Sequence, residues 1–266
     1  MILRLLILWA VIASAIGLAV LIHRTRKTAD GDDPPDYRVV LGFVSSAYGL
    51  LLGLLVVFAV GHYSDSRNQA EAESTSLVAL YDALGVYPPE TRQTVRHNIV
   101  CYMRSIVSND WPSMEDGNST EDTRALAWGD RVRDDVRNLP LDSSRESSAY
   151  GRAVGFITDA SKSRQQLLFF TEPRIPTALW VVIYVGVFLL VFLIALHYTD
   201  DPRGRVIALT SLTVLLTVVV SVLAMLDRPF GVGTLVQPSE MRQAITLLSE
   251  GTNPSTLRPC RDIPPK

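Results

Sequence analysis

The stretch VVLGFVSSAYGLLLGLLVVFAV, residues 39–60, decides the fold because it carries no ionisable side chain. A charge at the centre of a bilayer costs about 2.5–3.5 kcal/mol on insertion scales. About 20 apolar residues, each rising about 1.5 Å in a helix, cross the roughly 30 Å of hydrocarbon. The stretch therefore predicts a transmembrane helix.

Three other apolar runs of similar length, residues 5–22, 178–196 and 206–226, predict further membrane spans. The four runs form two pairs with a long, mostly polar segment between them. The pattern predicts an all-α integral membrane protein of the cell membrane, multi-pass, with four transmembrane helices in a 2+2 arrangement around a helical extramembrane domain. The expected parts are a first helix pair (1–62), the helical domain (63–177), a second helix pair (178–228) and a C-terminal tail (229–266).

The first run has a second interpretation. Arg4 before it and the small residues Ala13, Ser14 and Ala15 within it are compatible with a cleaved signal peptide. The run is longer than the usual signal core, however, and its basic cluster follows it instead of preceding it. These two features favour an uncleaved membrane anchor.

The middle segment predicts four helices by apolar periodicity. The first continues the second membrane run from Asp65 and ends at Gly85, before Pro88 and Pro89. The second covers Glu90 to Asp110 and is closed by Pro112. The third covers Thr120 to Asn138 with Thr120 as its cap, and the fourth starts after Asp142 or Ser143 and runs toward Phe170.

Composition excludes several classes of function. The net charge of −2 with mixed signs argues against a nucleic-acid partner. The chain has no glycine loop for nucleotides, no zinc-type cluster of cysteine and histidine, and no nucleophile elbow. We therefore expect no enzyme, no catalytic residue, no cofactor and no metal site.

Small and hydroxyl side chains recur along two membrane runs at helical spacing. They are Ser45, Ser46, Gly49 and Gly53 in the second run, and Thr210, Thr213, Thr217 and Ser221 in the fourth. Such residues can line a pore that passes small anions without a buried countercharge. They also commonly cement contacts between membrane helices, and the general rule favours this packing role.

Asp227 and Arg228 lie at the end of the fourth membrane run. An acid and a base at this boundary are candidates for a charged gate at the mouth of an oligomeric pore. The alternative is a simple helix stop, in which Arg228 lies among lipid headgroups and Pro229 ends the helix.

The sequence does not decide on which side of the membrane the middle domain lies. Both short connections between spans share one side, and the middle domain lies on the other. The short-connection side carries six basic residues, namely Arg24, Arg26, Lys27, Arg38, Arg203 and Arg205. The opposite side carries three, Arg4, Arg228 and Arg242, which places the middle domain outside. Including Arg67, Lys162, Arg164 and Arg174 raises that count to seven and nearly balances the two sides.

Cys101 and Cys260 are the two cysteines, and both lie on the side of the middle domain. A disulfide between them would require an oxidising compartment. Two free thiols are the interpretation we favour from sequence, one on the second polar helix and one in a proline-rich tail expected to be disordered.

Several segments resemble the bestrophin-like proteins of bacteria. The similarity runs from the first membrane run to about Leu248, and its clearest parts are EAESTSLVALY (71–81), Asp110-Trp111-Pro112 after Tyr102, and LDRPF (226–230), which ends in Pro229 and Phe230. Family members commonly have Glu in place of Asp110 and often Asn in place of Asp227. Bestrophins are pentameric anion channels, so the resemblance implies an oligomer. It also implies that the helical domain lies in the cytoplasm, whereas the count of six basic residues against three places that domain outside.

Two functions follow as hypotheses. The first is a homo-oligomeric, bestrophin-like ion channel for small anions in the lipid bilayer, with the second and fourth membrane helices nearest the axis. The second is a non-conducting scaffold or sensor whose helical domain binds a partner or ligand. A central channel needs a closed ring of subunits, whereas a scaffold can be monomeric or dimeric.

Overall fold

The chain is mostly helical in the part that the computed structural model describes, residues 2–26, 38–172, 174–197, 202–230, 236–250 and 260. Within these ranges no residue is in a β-strand. The helices, in chain order, are α1 (Ile2–Arg26), α2 (Arg38–Ala83), α3 (Pro89–Ser105), α4 (Trp111–Glu115), α5 (Thr123–Arg137), α6 (Ser144–Phe169), α7 (Thr177–His197), α8 (Pro202–Leu226) and α9 (Ser239–Glu250). A 3-10 turn, Leu84–Val86, follows α2, and a π-helical segment, Ile106–Asp110, joins α3 to α4.

In the described residues, four helices are long and apolar enough to cross a membrane: Leu3–Ile22, Val39–Val86, Thr177–Leu196 and Arg203–Leu226. The second is much longer than a bilayer requires, since 46 residues of α2 extend about 70 Å at about 1.5 Å per residue. Its uncharged part, residues 39–61, suffices to span, and Asp65 begins the polar part. The expected all-α architecture with four membrane helices is confirmed.

The chain divides into two compact units. We call Met1–Gly61 with Pro173–Asp227 the membrane unit, and His62–Glu172 with Arg228–Lys266 the helical unit. α2 therefore contributes residues to both. The domain boundaries expected from sequence stay a prediction.

In the membrane unit, α1 packs against α7 and α8. Its buried positions are Leu8, Ile12, Ala15 and Ala19, at spacings of four, three and four. This is one helical face, and the two alanines let the backbones approach closely. α7 buries Ile183, Val187 and Val191 in the same unit.

In the helical unit, α3 is central and packs against α5 and α9. Its Ile99 and Met103 are fully buried, together with Leu80 of α2 and Leu167 of α6. Trp111 and Phe230 meet edge to face with ring centroids 5.8 Å apart. The amphipathic stripes expected from sequence bury one another in this core.

Pro112 does not end the second polar helix as expected. The backbone N–H of Trp111 donates to the carbonyl of Ile106, which makes a wide π turn. Pro112 then lies in the first turn of α4, where a missing N–H costs nothing. The π turn thus carries the chain past a residue that would break a regular α-helix.

The third polar helix begins later than expected, and its cap is Asp122 instead of Thr120. The Asp122 carboxylate accepts from the backbone N–H of Arg124 at 2.9 Å. The predicted start of the fourth helix is confirmed, because the hydroxyl of Ser143 accepts from the N–H of Glu146 at 3.2 Å.

The C-terminal region contains a helix that the sequence analysis did not predict, and it contradicts one expectation. Ser239–Glu250 forms a helix, α9, whose Met241 and Ala244 are buried in the helical unit. Cys260 is not a free thiol, because it forms a disulfide with Cys101. Apart from Cys260, the proline-rich stretch 252–266, which was expected to be disordered, lies outside the described residues.

Gly186→Ala tests the packing of the membrane unit. The Tyr48 hydroxyl donates to the carbonyl of Ile183 at 2.9 Å, and a Cβ at Gly186 would lie 2.1 Å from Cε2 of the Tyr48 ring. The ring would have to move, so we expect overpacking in Gly186→Ala to lower the free energy of unfolding by about 1–3 kcal/mol. The measurement is the melting temperature of the detergent-purified protein, which should fall.

Gly61→Ala is the matched control, because nothing lies within 4 Å of a Cβ at that position. Equal melting temperatures for the two variants would contradict the close contact between Tyr48 and Gly186.

Candidate functional site

The membrane part of α2 has three distinct faces. Its buried face consists of Tyr48, Leu52, Leu55 and Ala59. We call the residues Phe43, Ala47, Leu50, Leu54 and Phe58 the lipid face, since they are exposed, apolar and mostly large. We call Gly42, Ser45, Ser46, Gly49 and Gly53 the small face.

The small face is uncovered. All five of its residues are exposed, and nothing lies within 4 Å of a Cβ placed on Gly42, Gly49 or Gly53. The hydroxyl of Ser46 donates to the carbonyl of Gly42 at 2.9 Å, within the same helix. The candidate residues of the second membrane run therefore share one surface of α2 that the subunit leaves open.

The hydroxyl stripe of α8 is only partly open. Thr210 is exposed, whereas Thr213, Thr217 and Ser221 are half-buried. The hydroxyl of Thr217 donates to the Thr213 carbonyl at 2.7 Å, and that of Ser221 donates to the Thr217 carbonyl at 2.6 Å. The hydroxyl hydrogens of Thr217 and Ser221 are therefore used in hydrogen bonds within α8, and each hydroxyl would have to rotate before it could donate to another acceptor.

Asp227 is buried in an ion pair at the end of α8. One carboxylate oxygen accepts from Nη1 of Arg4, and the other accepts from the backbone N–H of Ile175 at 2.7 Å. The Arg4 guanidinium also lies 4.1 Å from the ring centroid of Trp180. A positive charge paired with a carboxylate and stacked on an aromatic ring is strongly held in surroundings of low dielectric.

Arg228, in contrast, is exposed, and the next two residues are buried in the helical unit. The backbone carbonyl of Pro229 accepts from the N–H of Val236 at 3.3 Å. Phe230 packs on Trp111, so two of the segments that carried the family resemblance meet in the core of this unit.

A second cluster lies inside the helical unit, where Arg164 of α6 is placed between two carboxylates. Its Nη2 donates to Asp110, and its Nη1 lies 3.5 Å from Oε2 of Glu73. All three residues are at most 2% exposed. We call Glu73, Asp110 and Arg164 the buried charge cluster.

The π turn fixes the position of Asp110 in this cluster. Asp110 is the last residue of the π segment, and its side chain is directed into the core. Besides Arg164, it accepts from the backbone N–H of Asp122, the residue that caps α5. The carboxylate therefore joins α6, the π segment and the start of α5.

The charges in the cluster do not balance, since one guanidinium faces two carboxylates. Burial raises the pKa of Glu73 from 4.5 to about 7; Arg164 opposes this rise, and Glu121 adds to it. Burial also raises the pKa of Glu121, against the effect of Arg133 and a hydrogen bond with Tyr102. Near neutral pH the cluster can therefore take up or release a proton at Glu73.

The Trp111 side chain has a buried hydrogen-bond donor without an acceptor among the residues that the structure describes. Its ring is 3% exposed, and its indole Nε1 finds no acceptor among the described atoms. In the described part of the chain, no three His, Cys, Asp or Glu residues are close enough together to hold a metal ion. The cation that contacts Glu73 and Asp110 in this cluster is the guanidinium of Arg164.

Sequence reasoning singled out Asp110 and Trp111 but missed the roles of Glu73 and Arg164. Glu73 stood within a segment that resembled the family, and Arg164 was counted only as a flanking charge. Charged residues on a helical face that is otherwise apolar were the available signal, because such a face must enter a core.

The chain matches the Bestrophin-like domain family over residues 8–241. Crystal structures of two single-residue variants of a bacterial bestrophin homologue from Klebsiella pneumoniae share its fold. Each superposes with a TM-score of 0.68 and covers 94% of this chain and 97% of the homologue, at 13% and 12% sequence identity. No curated protein sequence matches the chain. The chain is a multi-pass protein of the cell membrane, and it belongs to the Bestrophin-like family.

Proposed function

We propose that the chain assembles into a homo-oligomer that conducts small anions through the membrane. The observation that carries this proposal is the uncovered small face of α2 in a chain of the Bestrophin-like family. A single subunit buries one face of α2 and offers a second, apolar face to lipid. The small face is neither buried within the subunit nor formed by the large apolar side chains that suit contact with lipid.

Glycine and serine expose backbone and hydroxyl groups that large apolar side chains would shield from an ion. A face of this kind gains most when several copies surround a shared axis, because a closed ring then removes it from lipid. Gly49 and Gly53 let neighbouring helices approach closely.

The small face has no charge that would trap an ion. Conduction requires binding that is strong enough for entry and weak enough for release, and hydroxyl and peptide dipoles provide such weak binding. A lining without acids avoids repelling anions. The hydroxyls of α8, led by the exposed Thr210, are proposed as a second contribution to the same pathway.

At the end of α8 we assign different roles to the two charged residues proposed as a gate. Asp227 is paired with Arg4 and bonded to the N–H of Ile175, so it would hold the helix end in place. Arg228 is exposed and would provide the positive charge that attracts anions.

The alternative function is a sensor, and the buried charge cluster is the observation that favours it. A group that changes its proton occupancy inside a core alters the stability of its surroundings. The cluster joins α2, α6 and the start of α5, so protonation of Glu73 would bias the packing of the helical unit.

Subunit number and flux test the channel together. Mass photometry of the detergent-purified chain should give a closed ring, a pentamer if the family resemblance holds, and proteoliposomes should show anion flux. A Leu side chain at Gly49 would fill the small face, so we expect Gly49→Leu to reduce flux at least tenfold or to prevent assembly.

Ala47→Leu adds a similar volume to the lipid face of the same helix and should leave assembly and flux unchanged. A monomer or dimer in several detergents, or a wild-type chain without flux, would refute the channel. Unchanged flux in Gly49→Leu would remove the small face from the pathway.

Arg228→Gln and Asp227→Asn separate the two proposed gate roles. The first should lower the ratio of anion to cation flux while the melting temperature stays near that of the wild type. The second leaves the partly exposed Arg4 without its partner charge, so it should lower the free energy of unfolding by about 1–3 kcal/mol and the melting temperature with it. If Arg228→Gln leaves the flux ratio unchanged, the attracting role is wrong.

Glu73→Gln tests the sensor through pH-dependent stability. The pKa of Glu73 is raised to about 7 in the folded state, so the folded protein holds this proton more tightly than the unfolded chain does. The resulting contribution to the free energy of unfolding is fully present below pH 4.5 and is lost as pH rises toward 7. The difference is on the order of 3 kcal/mol. Glutamine does not titrate, so in Glu73→Gln the melting temperature should change less between pH 5 and 7 than it does in the wild type.

The matched control is Glu71→Gln, which removes an exposed carboxylate two residues away on the same helix. It should keep the pH profile of the wild type. If the profile of Glu73→Gln also matches the wild type, the buried charge cluster is not the proton-responsive element.

A further inference from the structure

The two cysteines of the chain are joined within the helical unit. Cys101, on the central helix α3, is 1% exposed, and Cys260 packs against the same hydrophobic core. The bond links positions 159 residues apart in sequence. Around it, His97 Nε2 lies 3.5 Å from Cys101 Sγ, and Nη1 of Arg104 lies 3.8 Å from Cys260 Sγ.

A structural disulfide identifies the compartment in which it persists. Thiol systems of the cytoplasm keep cysteines reduced, whereas the periplasm and the cell exterior allow disulfides to form and remain. The Cys101 end of this disulfide is buried and the Cys260 end is half-buried against the core, which limits its contact with reductants in water. The compartment that holds the helical unit should therefore be an oxidising one.

The number of membrane crossings fixes the remaining segments. Residues 62–172 and the segment that begins at Arg228 are separated in the chain by two spans, α7 and α8, so both emerge on one side. The connections between α1 and α2 and between α7 and α8 then lie on the other side.

The distribution of basic residues gives independent support. The two short connections and their flanks contain six arginine and lysine residues, against three on the opposite side when the long middle segment is left out. Basic residues in short connections mark the cytoplasmic side. Of the four residues that raised the second count to seven, Arg67, Lys162 and Arg164 belong to the folded helical unit, which the rule leaves out, and Arg164 is buried in its core. Arg174 lies beside a span and stays in the count, which leaves six basic residues against four.

We infer that the helical unit lies on the oxidising, non-cytoplasmic side of the membrane with its Cys101–Cys260 disulfide formed, and that the two short connections face the cytoplasm. This orientation is the reverse of the one that the resemblance to bestrophins implies. It places the buried charge cluster in a unit that meets external pH. The inference is independent of ion conduction, so a failed flux assay would leave it standing.

Labelling of the full chain in intact cells tests the orientation. Ser147 is exposed on α6, so Ser147→Cys provides a thiol on the helical unit, and Thr28→Cys provides a matched thiol in the first short connection. Each is made with the native pair retained and with Cys101 and Cys260 changed to Ser. We expect a membrane-impermeant maleimide to label Ser147→Cys at least tenfold more than Thr28→Cys, and permeabilisation to make the two equal.

The reverse pattern, with Ser147→Cys labelled only after permeabilisation, would overturn the inference. The disulfide itself is read from the wild-type chain, denatured without reductant after acid quenching of the cells. No reactive thiol should be found before reduction and two afterwards, and Cys260→Ser should show one in both samples. Two reactive thiols in the unreduced wild-type chain would also overturn the inference.

Discussion

The hydrocarbon core of the bilayer cannot hydrogen-bond, and the structure depends on this constraint. Every backbone N–H and C=O inside it must find a partner in its own segment, so the four apolar runs are helices. Apolar side chains gain little free energy by exchanging lipid contacts for contacts with one another. Association between membrane helices therefore depends on close packing. Ala15 and Ala19 on α1 and Gly186 beneath the Tyr48 ring are local results of that requirement.

Charges are admitted to buried positions only with partners. In the membrane unit, Arg4 and Asp227 neutralise each other, and backbone and aromatic groups complete their surroundings. In the helical unit, Arg164 holds Asp110 by a hydrogen bond and Glu73 by a longer contact. Removing one partner from either group would leave an uncompensated charge, which costs more than the pair gains. Both groups therefore specify which helices meet.

Helical periodicity sufficed to predict the local elements of this chain. The end of the helix before Gly85 and the start of α6 at Ser143 follow from one-dimensional signals, and the structure confirms both. Partners distant in sequence leave no such signal. Arg164 and Asp110 are 54 residues apart, and Cys101 and Cys260 are 159 apart. Pro112 misled because a π turn, which periodicity does not indicate, lets the chain pass it.

The candidate site was predictable to a similar extent. Ser45, Ser46, Gly49 and Gly53 share a face by spacing alone, but spacing does not say whether that face is covered. The structure adds this information, since the buried face of α2 is formed by Tyr48, Leu52, Leu55 and Ala59 instead. Exposure is a property of the neighbouring helices, which the sequence of α2 does not contain.

Charge stoichiometry distinguishes the two buried ionic groups and indicates where regulation can arise. Arg4 and Asp227 are one cation and one anion, so their pairing is complete in a single state. Arg164 serves two carboxylates, and Asp110 holds it by a hydrogen bond while Glu73 lies 3.5 Å away. A proton on Glu73 completes the charge balance, and its loss leaves one buried negative charge in excess. Because burial raises the pKa of Glu73 to about 7, the cluster can change its charge near neutral pH, and Glu73 lies on α2, the helix that also carries the small face.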